Sequence, residues 1–131
     1  TREFYEVVKE RLNRPGVIAL QAGGVSCIGG ECFAAVHNTL RSVFPSVSPY
    51  VVFVPSFAIP WGFCLASPDA GIDPLSLKGI DGLISARIQG TLRFYDHLTH
   101  QCIFSLPKHV RSRLAEEQRL IEDNAPLFTY R

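Results

Sequence analysis

The sequence predicts an α/β fold in which a short sheet ends in an antiparallel hairpin and a mostly helical tail follows. Three observations carry that expectation. Apolar residues recur three and four positions apart from Phe4 to Leu12 and again from Phe33 to Phe44, the period of an amphipathic helix. Two apolar runs, Val17–Leu20 and Tyr50–Val54, have the composition of strands. The link from the second run to a third, Trp61–Ala66, is the six-residue stretch Pro55–Pro60, too short for a parallel crossover, which takes about a dozen residues.

The elements follow in order. Phe4, Tyr5, Val7, Val8 and Leu12 make one stripe of a first helix, with Thr1 placed to cap it and Glu3 near the positive end of its dipole. Arg11 and Arg14 suit the other end, and Pro15-Gly16 stops it. The unbroken run Val17–Leu20 predicts a strand covered on both faces. Gly23, Gly24, Gly29 and Gly30 then mark a loop that lets backbone approach a partner closely, but neither G-x-G-x-x-G nor G-K-[ST] is present, so no dinucleotide or phosphate loop is expected. Glu31–Phe44 is the second helix, with Phe33, Val36, Leu40 and Phe44 inward and His37, Asn38 and Arg41 off that stripe. His37 is accordingly expected in a solvated or half-buried role. Pro45 ends the helix, and the two strands of the hairpin follow. The order helix, strand, helix, strand, strand is that of the carboxyl-terminal part of a Rossmann-like, methyltransferase-type doubly wound sheet.

A loop at Ser67–Pro74 predicts a boundary, with residues 1–67 forming the sheet-bearing half and 68–131 a helical tail packed on it. Within the tail the pattern predicts a helix over 75–88 weakened by Gly79 and Gly82, segments at 92–95 and 97–104, and a helix from Pro107 to Ile121. Arg111, Arg113, Glu116, Glu117 and Arg119 read as a solvated face with weak ion pairs.

Composition excludes several classes. In 131 residues, 47% are hydrophobic and 19% charged, with 13 Lys+Arg against 12 Asp+Glu. That balance argues against a disordered tail and against a broadly basic nucleic-acid binder. No apolar run reaches the ~18 residues of a membrane span. The four cysteines, Cys27, Cys32, Cys64 and Cys102, are too dilute for a disulfide scaffold and predict free thiols in the cytoplasm. Cys27 and Cys32 lack the second close pair that a zinc site needs, so no metal is expected. Methionine is absent and the chain opens on a helix start, which predicts a piece of a longer sequence. Half a sheet exposes a strand edge and apolar helix faces, so association with another copy, as a homo-oligomer, or with another chain segment is expected.

Catalytic pairs are scarce. Asp69, Asp73 and Asp81 lie where capping explains them. There is no G-x-S-x-G, no H-E-x-x-H and no cysteine with an evident base, so no active site is complete within the chain. In open α/β sheets ligands bind beyond the carboxyl ends of the strands. Gln21 and Ala22-Gly23-Gly24 leave the first strand there, Pro55-Ser56-Phe57 leaves the second, and Trp61 closes the hairpin. An amide, a phenyl ring and an indole can bind an amine and cover its methylene chain, with cation–π attraction. Core packing of Phe57 and Trp61 under a loop is the other reading of the same residues.

Glu3-Phe4-Tyr5, Pro15-Gly16-Val17-Ile18-Ala19-Leu20-Gln21-Ala22-Gly23, Val43-Phe44-Pro45, Val54-Pro55-Ser56-Phe57, Trp61-Gly62-Phe63 and Ala66-Ser67, in that order and spacing, resemble the polyamine aminopropyltransferases, the spermidine synthase family. The stretch from Val54 to Gly62 looks especially like the thermospermine synthase branch. In the tail, Leu92-Arg93-Phe94-Tyr95-Asp96 with His100, Phe104 and Leu106-Pro107 is similar to the carboxyl-terminal segment of that family.

The resemblance implies transfer of an aminopropyl group from decarboxylated S-adenosylmethionine, the co-substrate, to putrescine or spermidine, with release of methylthioadenosine. In the family, the glycine-rich donor loop and the acidic catalytic loop precede the helix that begins here at Thr1. The resemblance therefore implies no catalytic and no cofactor-binding residue in this chain and expects the chain alone to be inactive. It assigns Gln21, Phe57 and Trp61 to the polyamine substrate. Phe57 stands where many spermidine synthases place a tyrosine beside the acceptor amine, which weakens the expectation of a putrescine preference. Two other classes stay open on sequence: a non-enzymatic binding or oligomerisation module derived from the same fold, and a methyltransferase.

Overall fold

The computed structural model describes residues 1–26 and 30–128. Helix α1 spans Arg2–Arg11, and its Thr1 hydroxyl accepts from the Phe4 N–H at 3.4 Å. Strand β1 is Ile18–Gly24, helix α2 Gly30–Val43, strand β2 Ser46–Val54 and strand β3 Ile59–Ser67. A single 3₁₀ turn, Pro55–Phe57, joins β2 to β3. A second, Pro74–Ser76, precedes α3 (Ile80–Arg87), α4 (His97–Phe104) and α5 (Lys108–Glu116).

The sheet order is β1-β3-β2, and both pairings are antiparallel. The hairpin expected from the short link is present, with Ser46 opposite Ser67 and Val54 opposite Ile59. Its returning strand β3 inserts between β1 and β2, so those two run in the same direction without touching. Pro49 is tolerated because β2 lies at an edge.

Helix α2 covers one face of the sheet. Phe33 is 1% exposed and Leu40 fully buried, and they join Tyr5 of α1, Cys64 and Ala66 of β3, and Leu106, Val110 and Leu114 of the tail in one cluster. Both sides of the Ser67 loop thus contribute to the same core. Among the described residues the other face of the sheet is covered toward β2, where Phe104 of α4 rests on Tyr50 with ring centroids 5.1 Å apart.

Four expectations are corrected. The run Val17–Leu20 is not enclosed on both faces: Val17, Ala19 and Gln21 are exposed while Ile18 and Leu20 point toward the core. His37 is buried on α2 instead of lying on its solvated side, because α2 is enclosed by sheet, α1 and α5 over most of its circumference. The 75–88 helix shrinks to α3, where Gly79 sits at φ 69° and resets the chain before Ile80. The last helix ends at Glu116, and Glu117 turns its carboxylate back to accept from the backbone N–H groups of Gln118 and Arg119 and from the Arg119 guanidinium at 2.6 and 2.9 Å. Those bonds hold the Glu117 carboxyl well below the usual carboxylate range, with the Arg119 guanidinium as the largest cause.

Beyond Glu117 the chain crosses α2 and α1 as a strap. Asn38 Nδ2 donates to the Arg119 carbonyl at 3.0 Å, and the Ile121 N–H donates to the Thr39 hydroxyl at 3.0 Å. The Arg2 N–H reaches the Ile121 carbonyl at 2.7 Å. Thr39 is fully buried and its hydroxyl also donates to the Ala35 carbonyl at 2.7 Å. Thr39→Val keeps the shape and strips the strap of its acceptor, leaving the Ile121 N–H unpaired. A loss of about 2 kcal/mol is expected in denaturant unfolding, with Thr39→Ser close to the parent.

Candidate functional site

The three residues assigned to substrate sit on or next to the less covered face of the sheet. Gln21 lies opposite Phe63, and directly opposed residues of an antiparallel pair point to the same side. Trp61 is two residues from Phe63 along β3 and so shares that side. Between Gln21 and Gly23 the register slips: Gln21 faces Phe63, yet Gly23 faces Gly62 and Gly24 faces Trp61. This bulge puts Gly24 under the indole ring, where a Cβ would stand 3.9 Å from Trp61 Cζ3. Gln21 and Trp61 are therefore brought to one side of one strand pair, separated by one same-face step.

Phe57 joins them through the 3₁₀ turn. Ala58 takes φ 57°, a left-handed conformation that folds the turn back onto β3. The Phe57 and Trp61 ring centroids lie 4.5 Å apart at 49°. Phe57 is 42% exposed and Trp61 half-buried, so the two rings form a partly covered pair beside that face. The Trp61 indole nitrogen is shielded from solvent and has no hydrogen-bond partner. Further along the same face Phe63 stacks on Tyr50 at 5.1 Å and 15°, and Tyr50 meets Phe104. Sequence reading missed this aromatic row, although the cross-strand pair Tyr50 and Phe63 follows once the hairpin register is fixed.

The acidic residues of the 67–96 region are engaged elsewhere. Asp69 faces Arg14 at 3.9 Å, Asp73 caps the Pro74 turn through the Leu75 N–H, and Asp96 caps α4 through the Thr99 N–H. Asp81 accepts from the His97 N–H at 2.9 Å and meets its Nδ1 at 2.7 Å. Cys32 and Cys64 are poor nucleophiles. Burial pushes Cys64 up to about 12 and raises Cys32. No disulfide joins Cys32, Cys64 or Cys102, and Cys27 lies outside the described residues. Among the described residues no group of His, Cys, Asp and Glu could hold a metal ion, and no helix is long and apolar enough to cross a membrane.

His37 is the most perturbed histidine. Burial first, and the Arg41 charge second, lower it from 6.5 to about 4. Between those two values the unfolded chain binds the proton and the folded chain does not, so stability falls as pH drops below 6.5 and levels off near 4. The shift corresponds to a loss of about 3 kcal/mol. Urea unfolding at pH 7 and pH 4.5 should show a difference that shrinks by most of this amount in His37→Gln.

Against known proteins, the spermine/spermidine synthase domain matches residues 1–74. A polyamine aminopropyltransferase 2 of Hyperthermus butylicus is 41% identical over 128 residues, covering 98% of this chain and 42% of the relative. The polyamine aminopropyltransferase of Sulfurisphaera tokodaii is 39% identical over 127 residues, covering 97% of this chain and 41% of its own length. In structure, the spermidine synthase of Thermotoga maritima superposes with TM-score 0.72 at 27% identity, over 88% of this chain and 39% of that one. A spermidine synthase in complex with the transition-state analogue AdoDATO matches equally well. The chain spans about two fifths of the length of these proteins. Its α/β architecture is part of the methyltransferase-like fold of spermidine synthase. With the domain matching more than half of its residues, the chain belongs to the spermine/spermidine synthase family.

Proposed function

We propose that the full-length protein is a polyamine aminopropyltransferase and that this chain supplies the wall of its acceptor site. The observation that supports the reading is the placement of Gln21 and the Phe57–Trp61 pair on the open face of a sheet of this family. The reaction joins an acceptor amine nitrogen to the aminopropyl carbon next to the sulfonium of decarboxylated S-adenosylmethionine. As the C–N bond forms the C–S bond breaks, the electron pair stays on sulfur, and methylthioadenosine leaves. The attacking amine must be neutral and must shed a proton afterwards, which calls for a carboxylate as base.

The residues of this chain have positioning roles. The Phe57 and Trp61 faces cover the methylene chain of putrescine or spermidine and attract its distal ammonium by cation–π contact. The Gln21 side-chain oxygen accepts an N–H from the amine. Asp69, Asp73, Asp81 and Asp96, each with its own partner, are not candidates for the base, so we place the base and the donor site in the remainder of the full-length protein. On this reading residues 1–67 are the carboxyl-terminal half of the catalytic domain, 68–131 are its tail, and the chain alone does not turn over. Among the described residues Cys32, Cys64 and Cys102 are unpaired, which supports a reducing compartment such as the cytoplasm.

Incubating the full-length protein with decarboxylated S-adenosylmethionine and either putrescine or spermidine tests this. A polyamine longer by one aminopropyl group is expected. No product from either acceptor would overturn the reading in favour of a non-enzymatic module on the same fold.

A further inference from the structure

A second cavity lies at the far end of the sheet. It is open to solvent on one side and holds about 350 Å³ between α2, the start of β2, the Pro74 turn and α5. Val47–Pro49 of its wall pair with Ala66–Cys64, whereas Trp61 pairs with Val52, three to five residues or roughly 10–17 Å further along β2. The cavity is therefore separate from the Phe57–Trp61 surface.

Its lining combines an apolar body with a cationic rim. Phe104, Leu106 and Leu114 form the apolar part, and Arg41 of α2 and Arg111 of α5 reach it from two sides. Arg41 has no ion pair or hydrogen bond among the described residues. Arg111 is fixed by donating to the Leu106 carbonyl, which occupies one of its N–H groups. Asp73 is the sole carboxylate of the lining, and one of its oxygens already accepts from the Leu75 N–H. His37 lines the same wall, is 7% exposed, and has an Nδ1 with no hydrogen-bond partner. Two guanidinium groups against one carboxylate leave a wall with a single positive charge beside an unsatisfied imidazole.

We propose that this cavity binds a small amphipathic carboxylate, its head between Arg41 and Arg111 and its apolar chain against Phe104, Leu106 and Leu114. A monoanion matches the net charge of the wall. The planar fork of arginine matches a carboxylate geometrically, and the apolar lining selects against a fully hydrated inorganic anion. The site does not depend on the aminopropyl-transfer reading, since none of its residues belongs to the proposed acceptor wall.

Calorimetric titration of the full-length protein with hexanoate tests the proposal, with 1-hexanol and acetate as the two halves of that probe. Hexanoate should bind once per chain, and each half-probe should bind at least about tenfold more weakly. Arg41→Gln, at an exposed position, should weaken hexanoate by about tenfold. Ala115→Trp, also at an exposed position, should block the cavity and remove binding while thermal unfolding stays near the parent. The His37 imidazole resonances should move as hexanoate is added. Absence of hexanoate binding, 1-hexanol binding as tightly as hexanoate, or unchanged affinity in both variants would overturn it.

Discussion

If the Phe57–Trp61 pair is the acceptor wall proposed above, replacing Trp61 by alanine in the full-length protein should lower kcat/KM for the amine acceptor by about 30-fold, or about 2 kcal/mol, and leave KM for decarboxylated S-adenosylmethionine within about twofold. The indole is half-buried, lies over Gly24 and carries the Phe57 ring at 4.5 Å. Its loss removes both the apolar cover for the methylene chain and the support for its neighbour. Phe57→Ala, which leaves the indole in place, should cost less. Trp61→Phe separates ring from N–H. The Trp61 nitrogen has no partner in the structure, so a phenyl ring keeps the face and forfeits no hydrogen bond within the protein. Steady-state kinetics on the three variants, with acceptor and donor varied separately, distinguishes an acceptor wall from a general scaffold. A scaffold role would move both KM values together.

Gly62→Ala destabilises the protein by about 3 kcal/mol, at the upper end of the cost of overpacking a core. Gly62 faces α2 from the central strand, and a Cβ there would stand 2.4 Å from Phe33 Cδ2 and 2.7 Å from its Cγ. Those are ring atoms of a side chain that is 1% exposed, so they cannot swing aside as a flexible side-chain end would. Phe33 in turn packs by its backbone near Gly23, where a Cβ would already touch Cys32. The double variant Gly62→Ala with Phe33→Leu should recover more than about 1 kcal/mol relative to the sum of the single changes, the signature of direct contact in a double-mutant cycle. Additive single effects would contradict the tight approach of α2 to β3.

The elements whose signals are local were legible in the sequence. Thr1 caps α1, Pro45 follows α2, and the six-residue link forces the β2–β3 hairpin because no crossover fits in it. The unbroken run Val17–Leu20 misled because a short apolar segment looks alike whether one face or both are covered. Only its packing shows Val17 and Ala19 open. His37 was misplaced for the opposite reason. Sequence period gives the direction of a helix face but not how far neighbouring elements wrap around it, and here α5, some seventy residues on, closes over α2.

The candidate site was legible by residue type and not by arrangement. Gln21, Phe57 and Trp61 have the chemistry to hold an amine, but Gln21, expected at the end of the first strand, lies inside β1, which runs on through Ala22-Gly23-Gly24. Their meeting depends on the slip between Gln21 and Gly23 and on the left-handed Ala58, and alanine announces no such turn. The Arg41 and Arg111 cavity left no sequence signal, since its two cations come from helices far apart in the chain.

The proposed activity places the acceptor amine on the open face of the sheet. A crystal structure of the full-length protein with spermidine or putrescine and methylthioadenosine bound tests it most directly. The acceptor methylenes are expected in van der Waals contact with the Phe57 and Trp61 rings, about 4 Å away, with an acceptor nitrogen within hydrogen-bond reach of the Gln21 amide. An acceptor bound with Phe57 and Trp61 both out of contact would contradict it.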